Sequence, residues 1–369
     1  MAGKVVKSGK GEEADEFVEP ARFPSPPPHV THISRGVHAP SFSSFQPRDL
    51  RFTSTNAVTH VAWSCDGRRL ASVGIDKAVR IWTPEKSSSK TSVPEKSVTQ
   101  RKNPSAVQYS GGHDYEVDYV TWNPTHPELF CTSSQRDRKI VFWDARQSRC
   151  VQTYTHNSPP TQLNYAPDGK TICFVTFNNQ LGFMTFGQGE GESKPQWSIA
   201  KRDPLGASTA MFNHAGDGLV LSHFRQNTVM ILDYPSLTIR EQLPAHVGGC
   251  LAVALDPRGR YLVSGGNDSI IDIFDMAEWI CINTITCCDH SITSLSFSHD
   301  GEYLAIGSHG SYVDLCAVET ALPLHRLNTL GHTSCVAWHP SKYVLAYCGQ
   351  QSREGAPQIA FLSLYGPGI

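Results

Sequence analysis

The chain has 369 residues, so at about 150 residues per domain it has room for two or three domains or one large repetitive β domain. Its 32 Lys and Arg against 34 Asp and Glu leave a net charge of −2, which excludes nucleic-acid binding through bulk charge. Hydrophobic residues make up 39% and charged residues 18%, with 29 Gly and 24 Pro. This balance is too apolar for general disorder and too interrupted for long helices, so it favours a turn-rich, all-β protein.

Two polar segments stand apart from the rest of the sequence. Residues 1–44 combine lysines, an acidic run and a Pro-rich stretch, and bury too little apolar surface to offset their ordering entropy, so we expect a disordered N-terminal tail. Residues 84–105 are rich in Ser and Lys, and we interpret them as a long surface loop inserted in a folded domain over residues 45–369. No stretch approaches the roughly 18 apolar residues of a membrane span, and no secretory signal is evident, so we expect a soluble, intracellular protein.

A unit of about 40 to 45 residues recurs along the folded part of the chain, which is the sequence pattern of a propeller. Each unit has an alternating strand that ends in a large anchor residue, then a tight turn, a second apolar strand and a third strand. The anchors are Trp63, Trp122, Tyr165, Phe212, Leu255, Phe297 and Trp338. The first two anchors are further apart than the others because the segment at 84–105 lies between them.

Seven such units predict a seven-bladed β-propeller. A single four-stranded unit has two apolar faces and is not stable alone, whereas a ring covers both faces of every unit and removes long free edges. The seventh unit has only a short last segment, residues 358–364. We therefore expect residues 49–54 to supply the outer strand of the last blade and close the ring.

Polar residues recur inside these units at fixed offsets. The second unit holds His113, Ser133, Asp137 and Trp143, and His113 lies nine residues before its anchor, as do His156 and His246. The same spacing of Ser, Asp and an aromatic recurs at Ser72, Asp76 and Trp82, and at Ser264, Asp268 and Phe274. A buried carboxylate must be paired, and an imidazole with a hydroxyl can satisfy it. This pattern resembles that of the tryptophan-aspartate (WD) repeat proteins, which implies a structural hydrogen-bond network joining these residues.

The network residues also allow a second interpretation, a Ser-His-Asp hydrolase triad. A triad converges on one exposed Ser with an oxyanion hole, whereas these groups recur in several units, and the sequence has no GxSxG elbow. We therefore predict no enzyme activity, no catalytic residues and no cofactor. The sixth unit has Ile306 and Gly310 at the Ser and Asp positions, so we expect units four, six and seven to be held mostly by apolar packing.

The eleven cysteines follow no disulfide framework. Most of them, such as Cys131, Cys173 and Cys335, lie in apolar runs and are interpreted as core residues of a protein in a reducing compartment. The cluster of Cys281, Cys287, Cys288 and His290 contains no CxxC pair, and adjacent residues of a strand point to opposite faces. We interpret this cluster as a strand and turn, and predict no metal site.

Four stretches, residues 61–72, 122–130, 295–301 and 336–340, resemble in sequence and in order the WD-repeat subunit family of the THO complex. This resemblance implies a nuclear, non-enzymatic subunit of the THO core of the transcription-export (TREX) assembly, which couples transcription to packaging and export of messenger RNA. It also implies docking on the large helical scaffold subunit, with indirect RNA association and neither a membrane nor a small-molecule substrate as partner. The near-zero net charge agrees with a protein partner.

An alternative function rests on Trp143, Asp144 and Arg146, which match the WDxR pattern of substrate receptors for cullin-RING ubiquitin ligases. In that case the propeller would dock on the ligase through this motif. One unit alone carries it.

Overall fold

The computed structural model describes residues 40–50, 58–84, 106–147, 149–188, 194–351 and 359–367. In this part of the chain a short 3₁₀ helix, η1 (Phe42–Ser44), precedes 28 strands that form seven four-stranded antiparallel sheets. No helix of the described residues has the length and apolarity needed to cross a bilayer.

The strands of the first half, in chain order, are β1 (Gln46–Asp49), β2 (Val58–Trp63), β3 (Leu70–Gly74), β4 (Val79–Trp82), β5 (Val107–Tyr109), β6 (Tyr119–Trp122), β7 (Leu129–Ser134), β8 (Lys139–Asp144), β9 (Cys150–Thr155), β10 (Pro160–Tyr165), β11 (Thr171–Thr176), β12 (Gln180–Gly187) and β13 (Gln196–Gly206). Those of the second half are β14 (Thr209–Phe212), β15 (Gly218–Ser222), β16 (Thr228–Asp233), β17 (Ile239–Pro244), β18 (Cys250–Leu255), β19 (Tyr261–Gly266), β20 (Ile271–Asp275), β21 (Ile280–Ile285), β22 (Ile292–Phe297), β23 (Tyr303–Ser308), β24 (Tyr312–Ala317), β25 (Pro323–Asn328), β26 (His332–Trp338), β27 (Leu345–Gln351) and β28 (Ile359–Gly366).

Consecutive strands form each sheet, which we call a blade. Blade 1 is β2–β5, blade 2 is β6–β9, and so on to blade 6, which is β22–β25; blade 7 combines β26, β27 and β28 with β1. The first strand of every blade ends on its predicted anchor residue, from Trp63 in β2 to Trp338 in β26. The prediction of an all-β, seven-bladed propeller is therefore confirmed. The polar segment at 84–105 connects β4 to β5, and residues 85–105 of it lie outside the described residues.

Burial differs systematically among the four strands of a blade. Middle strands such as β3, β11, β15 and β19 are buried along their whole length, because neighbouring blades cover both of their faces. The fourth strand is partly exposed, and in β9 the side chains alternate between half-buried and exposed. The apolar runs of the second and third strands thus form the core between blades, and the fourth strands form the outer wall.

Polar side chains on the first strands tie neighbouring blades together. The indole N–H of Trp122 donates to the Ala62 carbonyl of blade 1 at 2.9 Å, and that of Trp63 donates to the Ala337 carbonyl of blade 7 at 3.0 Å. The Thr59 hydroxyl donates across blades to the Val117 carbonyl at 2.7 Å. Because these bonds cross from one blade to the next, the anchors fix the spacing between blades as well as filling the core.

The ring closes where β1 pairs antiparallel with β28, so that blade 7 contains strands from both ends of the chain. The register places Asp49 opposite Ser363, and the Ser363 hydroxyl donates to the Asp49 carboxylate at 2.6 Å. We expected residues 49–54 to form this strand, and the boundaries are wrong: the strand is Gln46–Asp49. Residues 51–57 lie outside the described residues.

Packing of the domain begins earlier than the predicted boundary between residues 44 and 45. Phe42 is buried, and its ring packs edge-on against Tyr303 of blade 6 with 4.9 Å between centroids. The Tyr365 hydroxyl donates to the Phe42 carbonyl. Because the residues before Phe42 are mostly polar, the sequence pattern did not indicate that this side chain is buried. Of the predicted tail, residues 1–39 lie outside the described residues.

Two truncations test ring closure. Removing residues 1–50 deletes β1 and the Phe42 anchor and leaves β28 with an open edge, so we expect loss of the single cooperative unfolding transition in calorimetry. Removing residues 1–39 alone keeps every contact described above, and its midpoint should match that of the full chain. Equal midpoints for the two truncations would show that β1 does not close the ring.

Candidate protein-interaction face

The propeller has two faces, defined by which connections they carry. Successive connections of an antiparallel sheet lie at opposite ends, so the turns between second and third strands share one face with the connections between blades. We call this the network face, because the predicted hydrogen-bond residues lie there. The opposite face carries the other two sets of connections.

In blade 2 the network residues form a continuous chain of hydrogen bonds. His113 Nδ1 lies 3.0 Å from Asp137 Oδ2, and His113 Nε2 lies 2.7 Å from Thr132 Oγ1. The indole N–H of Trp143 donates to the same Thr132 oxygen at 2.8 Å. A neutral imidazole protonated on Nδ1 satisfies every bond, since it donates to Asp137 and accepts from the threonine hydroxyl. Gly112 has to precede His113, because a Cβ there would lie 2.5 Å from the Trp143 ring.

The hydroxyl of this network was predicted to be Ser133, and that assignment is wrong. By strand register Thr132 of β7 pairs with Val141, two residues before Trp143, just as Ser72 pairs with Arg80, two residues before Trp82. Blade 2 therefore has one more residue between the hydroxyl and the aspartate. The fixed spacing instead indicated the next residue, Ser133, whose side chain lies on the opposite side of the blade's sheet. Ser133 Oγ is buried without a partner among the described residues.

Asp137 joins the connection between blades to the turn of blade 2. Burial alone raises the pKa of Asp137, but hydrogen bonds from His113 and from the backbone N–H groups of Lys139 and Asp114 hold it below its ordinary value. The Asp114 N–H donates at 3.1 Å and the Lys139 N–H at 2.9 Å. The ionised carboxylate thus fixes the backbone of two segments of the network face, the connection that enters blade 2 and the turn between β7 and β8.

Blade 5 repeats the arrangement with an incomplete set. His246 Nδ1 lies 3.1 Å from Asp268 Oδ1, and Nε2 lies 2.9 Å from Ser264 Oγ. The Val247 N–H donates to Asp268 Oδ2 at 3.0 Å. Phe274 occupies the Trp position and has no N–H, so the serine hydroxyl lacks the indole bond that Thr132 receives. The three predicted polar residues are therefore in contact, as the fixed spacing requires.

In blade 1 the acidic residue has a different partner. The Trp82 indole donates to Ser72 Oγ at 2.9 Å, but Asp76 pairs with Arg80, whose Nη1 lies 3.2 Å from Asp76 Oδ1. Arg80 is buried, and its guanidinium pairs with Asp76 in the way that a histidine pairs with the aspartate in blades 2 and 5. Sequence spacing missed Arg80. Its signal was a lone arginine within the apolar third strand, where an unpaired charge would be too costly.

Blade 3 has the histidine without its partners. His156 Nδ1 accepts from the Ser158 N–H at 3.0 Å, and Nε2 is buried without a partner among the described residues. Phe174 takes the hydroxyl position, packs against the imidazole at 5.2 Å between centroids, and leaves no space for a Cβ at Gly182. The nine-residue offset thus predicts the position of the histidine but not its bonds.

The burial of the network residues argues against the hydrolase interpretation. The side chains of His113 and His246 are 0% exposed, and that of Asp137 is 3% exposed. The hydroxyl that faces each imidazole is buried as well, in Thr132 and Ser264. A substrate could not reach either hydroxyl, so these groups stabilise the blades.

The network holds exposed apolar residues in place. Tyr115 follows two residues after His113, and Val247 follows His246 directly; Val247 is 87% exposed. Other large apolar side chains are exposed on the same face. Together they are Ile75, Tyr115, Phe177, Phe224, Val247 and Leu330. On the connections of the opposite face, the one exposed large apolar side chain among the described residues is Leu322.

Phe224 and Val247 belong to one locally rigid part of this face. Gly249 has φ of +88°, and a Cβ there would lie 2.0 Å from the Phe224 carbonyl, so the turn of blade 4 rests directly on the connection to blade 5. The Phe224 ring stacks on His223 at 5.1 Å and lies under the Arg225 guanidinium at 5.1 Å. We call the exposed Phe224 and Val247, together with Arg225 that covers the Phe224 ring, the apolar patch.

Charges on the network face are largely paired within the face. Arg136 forms an ion pair with Glu116 at 3.5 Å and lies 4.8 Å over the Tyr115 ring, and Lys139 pairs with Asp114 at 2.5 Å. Paired cations of this kind offer little free charge to phosphates. Aromatic and arginine side chains beside paired charges are typical of protein interfaces.

The alternative docking motif lies on the opposite face, where β8 ends. Asp144 is buried, and Arg146 donates to it with Nε at 2.9 Å and Nη2 at 2.7 Å. These bonds lower the pKa of Asp144. The side chain of Arg146 is 68% exposed, but its guanidinium is occupied by this local pair. The arrangement caps the strand end, and ligase docking stays a prediction.

Seven four-stranded blades, with all or part of this hydrogen-bond network in blades 1, 2 and 5, define a WD-repeat β-propeller. The family model "WD domain, G-beta repeat" matches residues 48–83 and 237–275. The model "Anaphase-promoting complex subunit 4 WD40 domain" matches residues 283–341.

Among curated proteins, the chain is 28% identical over 292 residues to THO complex subunit 3 of Arabidopsis thaliana, covering 79% of this chain and 86% of that protein. It is 26% identical over 297 residues to WD repeat-containing protein AAC3 of Dictyostelium discoideum, covering 78% of this chain and 61% of that protein. The resemblance to THO complex subunit 3 inferred from sequence stretches is thus supported over most of the chain.

Among solved structures, the β-propeller domain of Cps50 (Swd1) from Myceliophteria thermophila superimposes with a TM-score of 0.65 at 16% identity. The match covers 87% of this chain and 99% of that one. At this identity the match concerns the fold alone. It supports the β-propeller fold.

A pair of adjacent substitutions tests the corrected network. Thr132→Val keeps the shape but leaves His113 and Trp143 without their shared hydroxyl, so unfolding in urea should cost about 1–3 kcal/mol less free energy. Ser133→Ala removes a hydroxyl that has no partner among the described residues and should be nearly neutral. If Ser133→Ala proves the more destabilising of the two, the network passes through Ser133 and our assignment fails.

Proposed function

We propose that this chain is a non-enzymatic interaction subunit of a nuclear THO complex, within the TREX assembly that couples transcription to export of messenger RNA. The observation that carries the proposal is the similarity to THO complex subunit 3 over 79% of the chain, with 86% of that protein covered. A WD-repeat propeller with buried, structural polar groups supports the coarser role of a protein-interaction module.

The partner we propose is the large helical scaffold subunit, docked on the network face at the apolar patch. Interface centres are enriched in aromatic and arginine side chains that bury well on binding; Phe224 and Arg225 are of this kind, and Val247 adds exposed apolar surface. Their backbone is held by the Asp268 bond to Val247 and by the contact at Gly249, so docking requires little ordering of the loops.

RNA association is proposed to be indirect. The net charge of −2 and the ion pairs Arg136–Glu116 and Lys139–Asp114 reduce the positive charge that this face offers to phosphates, which supports an indirect association. Nuclear localisation follows from membership of the complex.

Binding to the purified scaffold subunit tests this proposal. Phe224→Ala combined with Val247→Asp removes the apolar patch at exposed positions, so folding should be unchanged while affinity falls at least tenfold by biolayer interferometry. Leu322→Asp on the opposite face is the matched control, because its side chain is also exposed and apolar. Loss of binding in the control alone would place the interface on the other face.

Copurification from nuclear extract provides the second arm. The full chain should recover THO subunits, and ribonuclease treatment should not release them. If no THO subunit is recovered, or if ribonuclease releases all of them, the chain is not a directly docked THO subunit.

A further inference from the structure

Blade 6 lacks the His–hydroxyl–Asp–Trp network, and a different set of polar side chains occupies its place. Cys288 lies nine residues before the anchor Phe297, where His113 and His246 lie relative to theirs. Cys316 of β24 pairs with Leu304, as Trp143 pairs with Phe130, so it takes the Trp position. Ile306 and Gly310 take the hydroxyl and acid positions, as predicted from the sequence. Thiols therefore stand at two of the four network positions.

These thiols lie close to a third thiol and a carboxylate. Cys287 Sγ lies 3.7 Å from Cys316 Sγ and 3.9 Å from Asp314 Oδ2. Cys288 Sγ lies 3.5 Å from the same carboxylate oxygen. The ligand atoms of Cys287, Cys288 and Asp314 all lie within 4.8 Å of one another. We call Cys287, Cys288, Asp314 and Cys316 the thiol cluster.

Three separations in the thiol cluster match edges of a tetrahedral zinc site, and Cys316, which lies outside the set of ligand atoms within 4.8 Å of one another, has to shift its Sγ toward Cys288 and Asp314 to complete it. With Zn–S bonds of about 2.3 Å and Zn–O bonds of about 2.0 Å, tetrahedral angles place two sulfurs about 3.8 Å apart and a sulfur about 3.5 Å from an oxygen. The measured values are 3.7 Å between sulfurs and 3.5 and 3.9 Å from sulfur to oxygen. The 3.7 Å between the Cys287 and Cys316 sulfurs is also an ordinary contact of two free thiols, so a disulfide between them is the competing outcome that the test separates from zinc binding.

Local backbone explains how adjacent cysteines reach one point. We interpreted the sequence cluster as a strand and turn, in which adjacent strand residues point to opposite faces, but β21 ends at Ile285 and Cys287 and Cys288 both lie in the connection to blade 6. The other members of the sequence cluster lie apart from it: Cys281 is exposed on β21, and His290 Nδ1 lies 3.3 Å from the Tyr312 hydroxyl. The ligands that complete the cluster come from β24.

Arg326 supports the carboxylate from outside the cluster. Its Nε donates to Asp314 Oδ1 at 2.7 Å and its Nη2 to Asp314 Oδ2 at 2.9 Å, and Nη2 also donates to the Cys287 carbonyl at 2.8 Å. Partners of this kind orient metal ligands. Three thiolates and a carboxylate around a divalent cation leave two negative charges, and the guanidinium offsets one of them.

We propose that Cys287, Cys288, Asp314 and Cys316 bind one zinc ion, which in blade 6 replaces the hydrogen-bond network of blades 2 and 5 as the link between the entering connection and the third strand. Cys288, Asp314 and Cys316 are buried, and Cys287 is half-buried, so the site has a route to solvent through Cys287. Four protein ligands make it a closed, structural site rather than a catalytic one.

The test uses the full chain purified in a reducing buffer without chelator, supplied with zinc and then dialysed against metal-free buffer. Elemental analysis should find one zinc per chain, and titration of the metal-free protein with cadmium should give the ultraviolet charge-transfer band of thiolate ligands. Chelation should lower the thermal midpoint, and added zinc should restore it.

Variants assign the metal to the cluster. Cys287→Ser and Cys316→Ser should each weaken zinc affinity at least tenfold, and Cys131→Ser, a buried cysteine of blade 2, is the matched control with unchanged affinity. Because Cys287 is half-buried, its variant keeps the fold even if Cys316→Ser does not. The proposal is overturned if the reduced chain binds no zinc, if both cluster variants retain it, or if Cys287 and Cys316 are recovered as a disulfide without metal.

Discussion

Closure of the ring by β1 against β28 is the constraint on which the rest of the structure depends. Middle strands buried on both faces are stable only while each blade has a neighbour on either side, and an open ring would expose two blade faces at once. Asp49 with Ser363, and Phe42 with Tyr365, therefore hold in place every blade between them. The indole bonds of Trp63 and Trp122 link blade 1 to blade 7 and to blade 2 from the inner strands.

The network face follows from that architecture. In each blade the entering connection and the turn between the second and third strands lie together on the network face. These two segments are held together either by buried polar side chains or by apolar packing. Blade 2 uses His113, Thr132, Asp137 and Trp143, blade 1 substitutes the Arg80 pair, and blade 6 places thiols at the same positions. The exposed residues beside these links, Tyr115 and Val247, are thereby held on rigid backbone, which is what a docking surface requires.

The fold could be predicted from sequence because it rests on a local repeat. The seven anchors each end a first strand, and the histidine offset placed His113, His156 and His246 on equivalent connections between blades. Spacing failed where it depended on register: one additional residue moved the hydroxyl from Ser133 to Thr132, and the closing strand lies a few residues before the predicted segment. The thiol cluster could not be predicted, because Asp314 and Cys316 are distant in sequence from Cys287 and only the antiparallel return of the chain brings them together. The apolar patch likewise depends on which side chains the turns leave exposed.

Hydrogen–deuterium exchange of the chain, alone and bound to the large helical scaffold subunit, tests most directly whether this propeller acts by docking through its network face. Our account predicts slowed exchange on binding at residues 223–226 and 247–249, with no change in the connections at 145–147 and 318–322 on the opposite face. Protection confined to those opposite connections, or no protection anywhere, would contradict it.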